Sequence, residues 1–332
     1  MPANPEKLKV VKEVAHKAIF LSVARAPGGR VFAGTSDFKV AEIDLAAAKP
    51  EVKEFGSHQS YVTGLALAGN SLVSGSYDGR LIWWDIDKKS QIRSVDAHQK
   101  WIRGVKASRD GKFIVSVADD MVARMWDAGS GKLLRELRGH QEITPNNFVS
   151  MLYALAISPD DKFIATGDKI GHIVVWDAQT GARAAELEAP VMYTWDPVQR
   201  RHSIGGIRSL AFSPDGAQLA VGGMGKVGNI DHLEGKARVE VFDWRAGKRL
   251  WEFPGEKFNG LVNRLAFHPK NEWLLGAGGA GDGLLMFFDL AAKKPLRQDK
   301  VPMHIHDIVL SPEGDTIFAA GHNRLMVWEM KG

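Results

Sequence analysis

The 332-residue chain contains no cysteine, which excludes disulfide bracing, thiolate metal ligation and thiol nucleophiles. It lacks any apolar run near the ~20 residues a membrane-spanning helix needs. Its first residues, MPANPEKLKVVKEVAHK, hold no apolar core of signal-peptide length. One-signed charge is scarce too. The 43 Lys and Arg against 39 Asp and Glu leave a net +4, short of the clustered basic charge of a dedicated nucleic-acid binder. A soluble, cytoplasmic protein is the expectation. Length alone would suggest about two domains, a prior that an internal repeat overrules.

What is present is such a repeat. The stretch DDMVARMWDAGSGKLLRELRGHQ, from Asp119 to Gln141, carries Trp-Asp and, about a dozen residues on, Gly-His. Equivalent pairs stand at Ile43-Asp44, Trp84-Asp85, Trp126-Asp127, Trp176-Asp177, Phe242-Asp243, Phe288-Asp289 and Trp328-Glu329. Successive pairs are 41, 42, 50, 66, 46 and 40 residues apart. Upstream of each lie two short β-branched or aromatic runs, such as WIRGVKAS and KFIVSVA, parted by turn sequences such as RDG, SPDD, SPDG, HPKN and SPEG. A third run holds the Trp and a fourth follows a further turn. Four strands per unit, a period near 40 and the Gly-His and Trp-Asp signature mark β-propeller blades.

On these residues the chain resembles the WD-repeat family over nearly its whole length, and the regularity of its turns looks bacterial. The expected fold is all-β: one seven-bladed propeller of four-stranded antiparallel blades over residues 1–332. The last unit stops at its third strand, so residues 7–14 should pair beside Leu325–Met330 and close the ring, protecting the strand edges. Insertions are expected at about 141–150, 189–205 and 224–237.

The resemblance implies a hydrogen-bonded line inside each blade, joining His, a second-strand hydroxyl, a turn Asp and the Trp. His58, Ser74, Asp78 and Trp84 fit it in the second blade, and His98, Ser116, Asp120 and Trp126 in the third. A buried indole N–H needs an acceptor, and a hydroxyl can accept that bond and donate the next. A Ser/His/Asp set also suits a hydrolase, but recurrence blade after blade argues for bracing. Other blades depart from the pattern. Ala33 and Ile43 replace the hydroxyl and the Trp in the first, and Ile170 stands at the turn-Asp position in the fourth. Phe288 replaces the Trp in the sixth, His322 takes the Asp place in the seventh, and the fifth diverges most. These blades should lean more on apolar packing.

Two glycine patterns, Gly223 to Gly228 and Gly276 to Gly281, match G-x-G-x-x-G, but a dinucleotide site needs a following helix. Here they read as glycines between the second and third strands. No cofactor and no catalytic residue are expected. His304 and His306 are two apart on a strand and share one face. They could begin a metal site, although the sequence places no third ligand beyond an insertion holding Asp231, His232 and Glu234.

Registering the seven first strands puts Ile19, Tyr61, Trp101, Met151, Gly206, Leu261 and His304 at the channel mouth. Two residues on come Leu21, Thr63, Arg103, Tyr153, Arg208, Asn263 and His306. No acid occurs in either set, which counts against a propeller enzyme. The three insertions belong to the same face. Partner-binding residues are therefore expected among Tyr61, Tyr77, Trp101, Arg103, Met151, Tyr153, Arg208, His304 and His306, extended by Tyr193, Trp195, Arg200 and Arg201. The expected function is a non-enzymatic scaffold for a protein or peptide with an apolar anchor and acidic flanks. Two alternatives are an enzyme or metal protein using His304 and His306, and nucleic-acid binding through Arg103, Arg208, Arg200, Arg201 and Lys169.

Overall fold

Short runs of β-branched and aromatic residues, punctuated by Gly, Asp and Ser, become strands five to eight residues long, apart from one four-residue hairpin. The computed structural model describes residues 3–47, 49–231 and 234–331. Among them are seven four-stranded antiparallel sheets, one two-stranded hairpin, two single 3-10 turns and no α-helix. In the second blade the strands are Val62–Ala68, Ser71–Ser76, Arg80–Asp85 and Ser90–Asp96. The first strand of every blade packs on the first strands of its two neighbours, and the seventh returns to the first. The innermost strands therefore surround a central channel, and the ring is closed. No helix among the described residues is long and apolar enough to cross a membrane.

Burial grades outward. Second strands such as Phe113–Ala118 and Trp273–Gly279 are buried at every position, because both faces of the sheet are covered by neighbouring blades. Their sequences are near-continuous apolar runs for that reason. Outer strands such as Ser90–Asp96 are mostly solvated. Trp126 packs between blades, in one cluster with Leu81, Trp83 and Ile102.

Closure uses Lys9–Ala15, which pairs antiparallel with Arg324–Glu329 as the outer strand of the seventh blade. Val14 is buried there, Asn4 N–H donates to Met330 O at 3.1 Å, and Glu13 holds Arg324 at 2.8 Å. The aspartates of the Trp-Asp pairs lie outside the bracing lines. Asp127 and Asp177 instead accept backbone N–H bonds from Ser130 and Thr180, both at 2.7 Å, and so cap the turn into the outer strand.

No helix follows the glycine pairs, and both patterns begin inside second strands. At Gly278 a Cβ would come within 1.9 Å of Leu261 O. Only glycine lets the two backbones approach so closely.

Candidate functional site

Two blades carry the full bracing line as spaced in the sequence. In the third, Trp126 Nε1–H donates to Ser116 Oγ at 2.9 Å; Ser116 reaches His98 Nε2 at 2.7 Å, and His98 Nδ1 meets Asp120 at 3.0 Å. The second repeats this with Trp84, Ser74, His58 and Asp78 at 2.7, 2.7 and 3.0 Å. Burial holds His98 below the usual imidazole range. A neutral imidazole with its proton on Nδ1 satisfies every member.

The fourth blade differs from the sequence expectation. Its line is complete, because Asp168, two residues before Ile170, reaches His140 Nδ1 at 2.8 Å while Thr166 Oγ1 joins His140 and Trp176. The carboxylate comes from the end of the strand instead of the turn, a shift that position matching does not register. The fifth blade keeps its apolar packing and carries a buried ion network in place of the hydroxyl line. Glu240, fully buried, accepts from Arg238 at 2.6 Å and Arg249 at 3.0 Å, and Arg238 also binds Glu252.

The channel mouth is set by a recurring irregularity. Every innermost strand shifts register at the same rung, between Phe20 and Ser22, Val62 and Gly64, Ile102 and Gly104, Leu152 and Ala154, Ile207 and Ser209, Val262 and Arg264, and Ile305 and Asp307. The residues bulged out are Leu21, Thr63, Arg103, Tyr153, Arg208, Asn263 and His306. A bulge re-aims its side chain, and seven in register ring the channel. Just above them lie Ile19, Tyr61, Trp101, Met151, Gly206, Leu261 and His304.

The mouth is asymmetric. On blades one to three, Phe38, Tyr61, Tyr77 and Trp101 form a continuous ladder, with ring centroids 5.8, 5.6 and 4.6 Å apart and the last pair stacked within 4°. Trp101 is 51% exposed and Tyr61 44%. Phe38 was absent from the sequence expectation. It adopts φ 75°, the left-handed conformation that Gly79 supplies at the same turn in blade two. A bulky residue there is a genuine outlier; the sequence signal was TSDFK standing where SYDGR stands next door.

Arg103 ends the ladder. Its guanidinium grips Asp119 through Nε and Nη2 at 2.9 and 2.7 Å, donates to the Tyr77 hydroxyl and lies 5.2 Å from the Trp101 ring centre. Burial raises the Tyr77 hydroxyl pKa. Tyr153 donates to Met151 Sδ at 2.6 Å, and Arg208 lies on the Tyr153 ring, 3.7 Å from its centre. The two registered sets of mouth positions hold no acid, but the channel has carboxylates from other positions. Asp307 lines it and Asp119 stands at its mouth, but each is held by an arginine, Arg264 at 2.6 Å and Arg103. Asp119 was missed because it comes from a second-to-third-strand turn, and Asp307 because it lies one residue past the bulge.

On blades four to six the insertions cover the mouth. The second forms a hairpin, Tyr193–Asp196 paired with His202–Gly205. Tyr193 Oη bonds Thr144 of the first insertion at 3.2 Å, Thr194 accepts from Val227 of the third at 3.0 Å, and Arg200 pairs with Asp231 at 2.8 Å. Met224, Val227 and Leu261 pack beneath. Trp195 and Arg201 stay exposed. The flank is thus one connected surface holding Tyr193, Trp195 and Arg200, and Val149 and Ser150 of its first insertion line a cavity of about 400 Å³ with Tyr77 and Trp101 of the ladder.

At the seventh blade, His304, His306 and His322 stack with centroids 4.7 to 5.2 Å apart. Faces, not nitrogens, are brought together. His304 is spent on Ala280 O at 2.6 Å and Asn263 Nδ2 at 2.7 Å, and burial with its two neighbours pushes His306 down to about 3. Among the described residues no group of three or more His, Asp or Glu could hold a metal ion; His232 lies outside them.

A family model described as WD domain, G-beta repeat matches residues 49–85, 89–127, 131–177, 195–227 and 247–289, more than half of the chain. Four of the five segments begin near an outer strand and end on the third strand of the next blade, the same one-strand stagger that the closure uses. Among similar proteins, nuclear distribution protein PAC1 of Coccidioides posadasii is 32% identical over 133 residues, 36% of this chain and 28% of that protein. Telomerase protein component 1 of Mus musculus is 25% identical over 297 residues, 89% of this chain and 10% of the relative. Apoptotic protease-activating factor 1 of Homo sapiens is 31% identical over 175 residues, 52% and 13% respectively. The chain spans between 28% and 36% of the length of the nuclear distribution proteins it matches. These relatives are eukaryotic and give the bacterial look of the turns no support.

Proposed function

This chain belongs to the WD-repeat family, and from that premise we propose that it is a non-enzymatic scaffold that docks a protein or peptide on the loop-rich face around its channel. The observation that carries the reading is the aromatic ladder. Four rings in unbroken contact, two of them about half exposed, run across three blades and end at a guanidinium. Aromatic and Arg side chains dominate interface energetics. Exposed apolar groups elsewhere on this face, Ile143, Val149 and Trp195, lie on the insertion flank and offer a second contact region.

The partner that fits has an apolar anchor for Tyr61 and Trp101 and acidic flanks for Arg200 and Arg201. The carboxylates at the channel act as counter-ions to arginines, which supports a binding role over acid–base chemistry. The test is affinity capture by wild type, Trp101→Ala and an Arg200→Ala/Arg201→Ala double variant. Loss of a truncated anchor at an interface centre costs about 2 kcal/mol or more, so Trp101→Ala should lose about 30-fold in affinity for a captured partner. Equal recovery by every variant would move the site off this face.

A further inference from the structure

Below the bulged ring the channel narrows to a partly open cavity of about 40 Å³. One water needs about 10–15 Å³, so the space holds about three waters or one small tetrahedral ion. Its wall carries four cationic side chains, Arg103, Lys106, Arg208 and Arg264, and one carboxylate, Asp307. Two of the cations are neutralised. Asp119 gives both oxygens to Arg103. Asp307 accepts from Arg264 at 2.6 Å through one oxygen and from Val23 N–H at 3.0 Å through the other. Arg208 and Lys106 have no ion pair among the described residues, and Arg208 Nη1 is buried without any hydrogen-bond partner.

Lys106 is exposed to the channel, but Arg208 Nη1 is buried without an acceptor, and a guanidinium N–H left unpaired in the ring wall is costly. The side chain of Arg208 is held in place by the Tyr153 ring beneath it, and burial of the guanidinium depresses its pKa. An ion with several acceptor oxygens and more than one negative charge would satisfy the free guanidinium N–H and the ammonium together, in the fork geometry that suits Arg.

We infer that this cavity binds one small tetrahedral oxyanion of the phosphate class, between Arg208 and Lys106. The site is inside the ring, below the ladder, with which it shares only Arg103, and the ion acts as an internal brace joining the third and fifth blades.

Thermal melts and calorimetric titration with inorganic phosphate, at ionic strength matched with sodium chloride, test it. Phosphate should raise the melting temperature of wild type by a few degrees. Arg208→Met and Lys106→Met should each weaken phosphate binding about tenfold or more, the loss of one charge-assisted bond, while Arg208→Lys keeps part of it. In phosphate-free buffer Arg208→Met should melt no lower than wild type, because it removes an unpaired charge; this control also shows that the variant folds. General salting-out would raise all proteins alike. The inference is overturned by no wild-type response beyond the chloride control, by an equal response in the Arg208→Met/Lys106→Met double variant, or by a response to O-phosphoserine with none to phosphate.

Discussion

Ser116 is the junction of the third blade's line, and replacing it by alanine isolates what the line contributes. Its Oγ is fully buried, accepts the Trp126 indole N–H at 2.9 Å and meets His98 Nε2 at 2.7 Å. Ser116→Ala removes no appreciable volume but leaves a buried N–H and a buried imidazole nitrogen without partners. Each orphan costs about 1–3 kcal/mol, so about 2–5 kcal/mol of stability should be lost. Part of that cost exists only while Trp126 is present. In the Ser116→Ala/Trp126→Phe double variant the orphaned donor is gone, so the two losses should fall short of additivity by about 1–2 kcal/mol. Urea denaturation followed by far-UV circular dichroism measures both quantities, because the transition midpoint and slope are read from the backbone signal of the whole fold and do not depend on emission from Trp126. Blade unfolding need not be two-state in a repeat protein, so coincidence with a second probe is required. A cost below about 0.5 kcal/mol for Ser116→Ala, or strict additivity, would refute the bracing role. Ser74→Ala in the second blade should behave alike, which a unique nucleophile would not.

Deleting residues 1–15 strips the outer strand from the seventh blade, exposes the edge of Arg324–Glu329 and uncovers Val14's neighbours. It should cost about 3 kcal/mol or more and promote concentration-dependent association, visible by calorimetry and size-exclusion chromatography; an unchanged melting temperature contradicts it. Phe38→Gly relieves a left-handed φ of 75° and should raise stability by roughly 1 kcal/mol while weakening partner capture. Stability should fall on acidification. His306 stays neutral down to about 3 in the fold, whereas an unfolded imidazole takes a proton below about 6.5. The unfolded state therefore binds more protons in that window, at about 1.4 kcal/mol per pH unit. His98, depressed in the same direction, adds to the trend, and His306→Gln should flatten the profile of melting temperature against pH.

The blade count, strand order and closing strand could be read from the sequence because each is a property of period. A four-strand unit repeated seven times fixes the register of every Trp, and a unit short of one strand must find it at the other terminus. The bulged ring followed the same logic, since one small residue before each turn indexes all seven strands. What escaped was chemistry delivered from off-register positions. Asp168 reaches His140 from the end of a strand, Asp119 enters the mouth from a turn, and Glu240 substitutes an ion network for a hydroxyl line. None of these alters the apolar pattern that carries the repeat. The insertions were visible as excess length, but their mutual contacts through Tyr193 and Thr194 depend on three-dimensional proximity alone.

A propeller built this way supplies its own controls. Seven equivalent positions share one backbone environment, so a residue that departs from its equivalents is not there for folding. At the left-handed position of the upper turn, blades two and four use Gly79 and Gly171, which incur no strain, and blade three uses Met121, which is buried and packs. Phe38 has neither excuse: it is strained and 37% exposed. The same comparison isolates Arg208. Of the bulged residues, Arg103 has Asp119, Asn263 has Ile305 O and Thr63 has Ile102 O at 2.6 Å, while Arg208 Nη1 and His306 Nε2 are both buried without a partner, and of these two only the arginine carries a charge. Strain at a ring left partly exposed points outward, to a partner on the ladder; charge without a counter-charge points inward, to an ion on the axis. The two departures sit on blades one and five, so the variants that test them should not couple, and Phe38→Gly should leave the phosphate response intact.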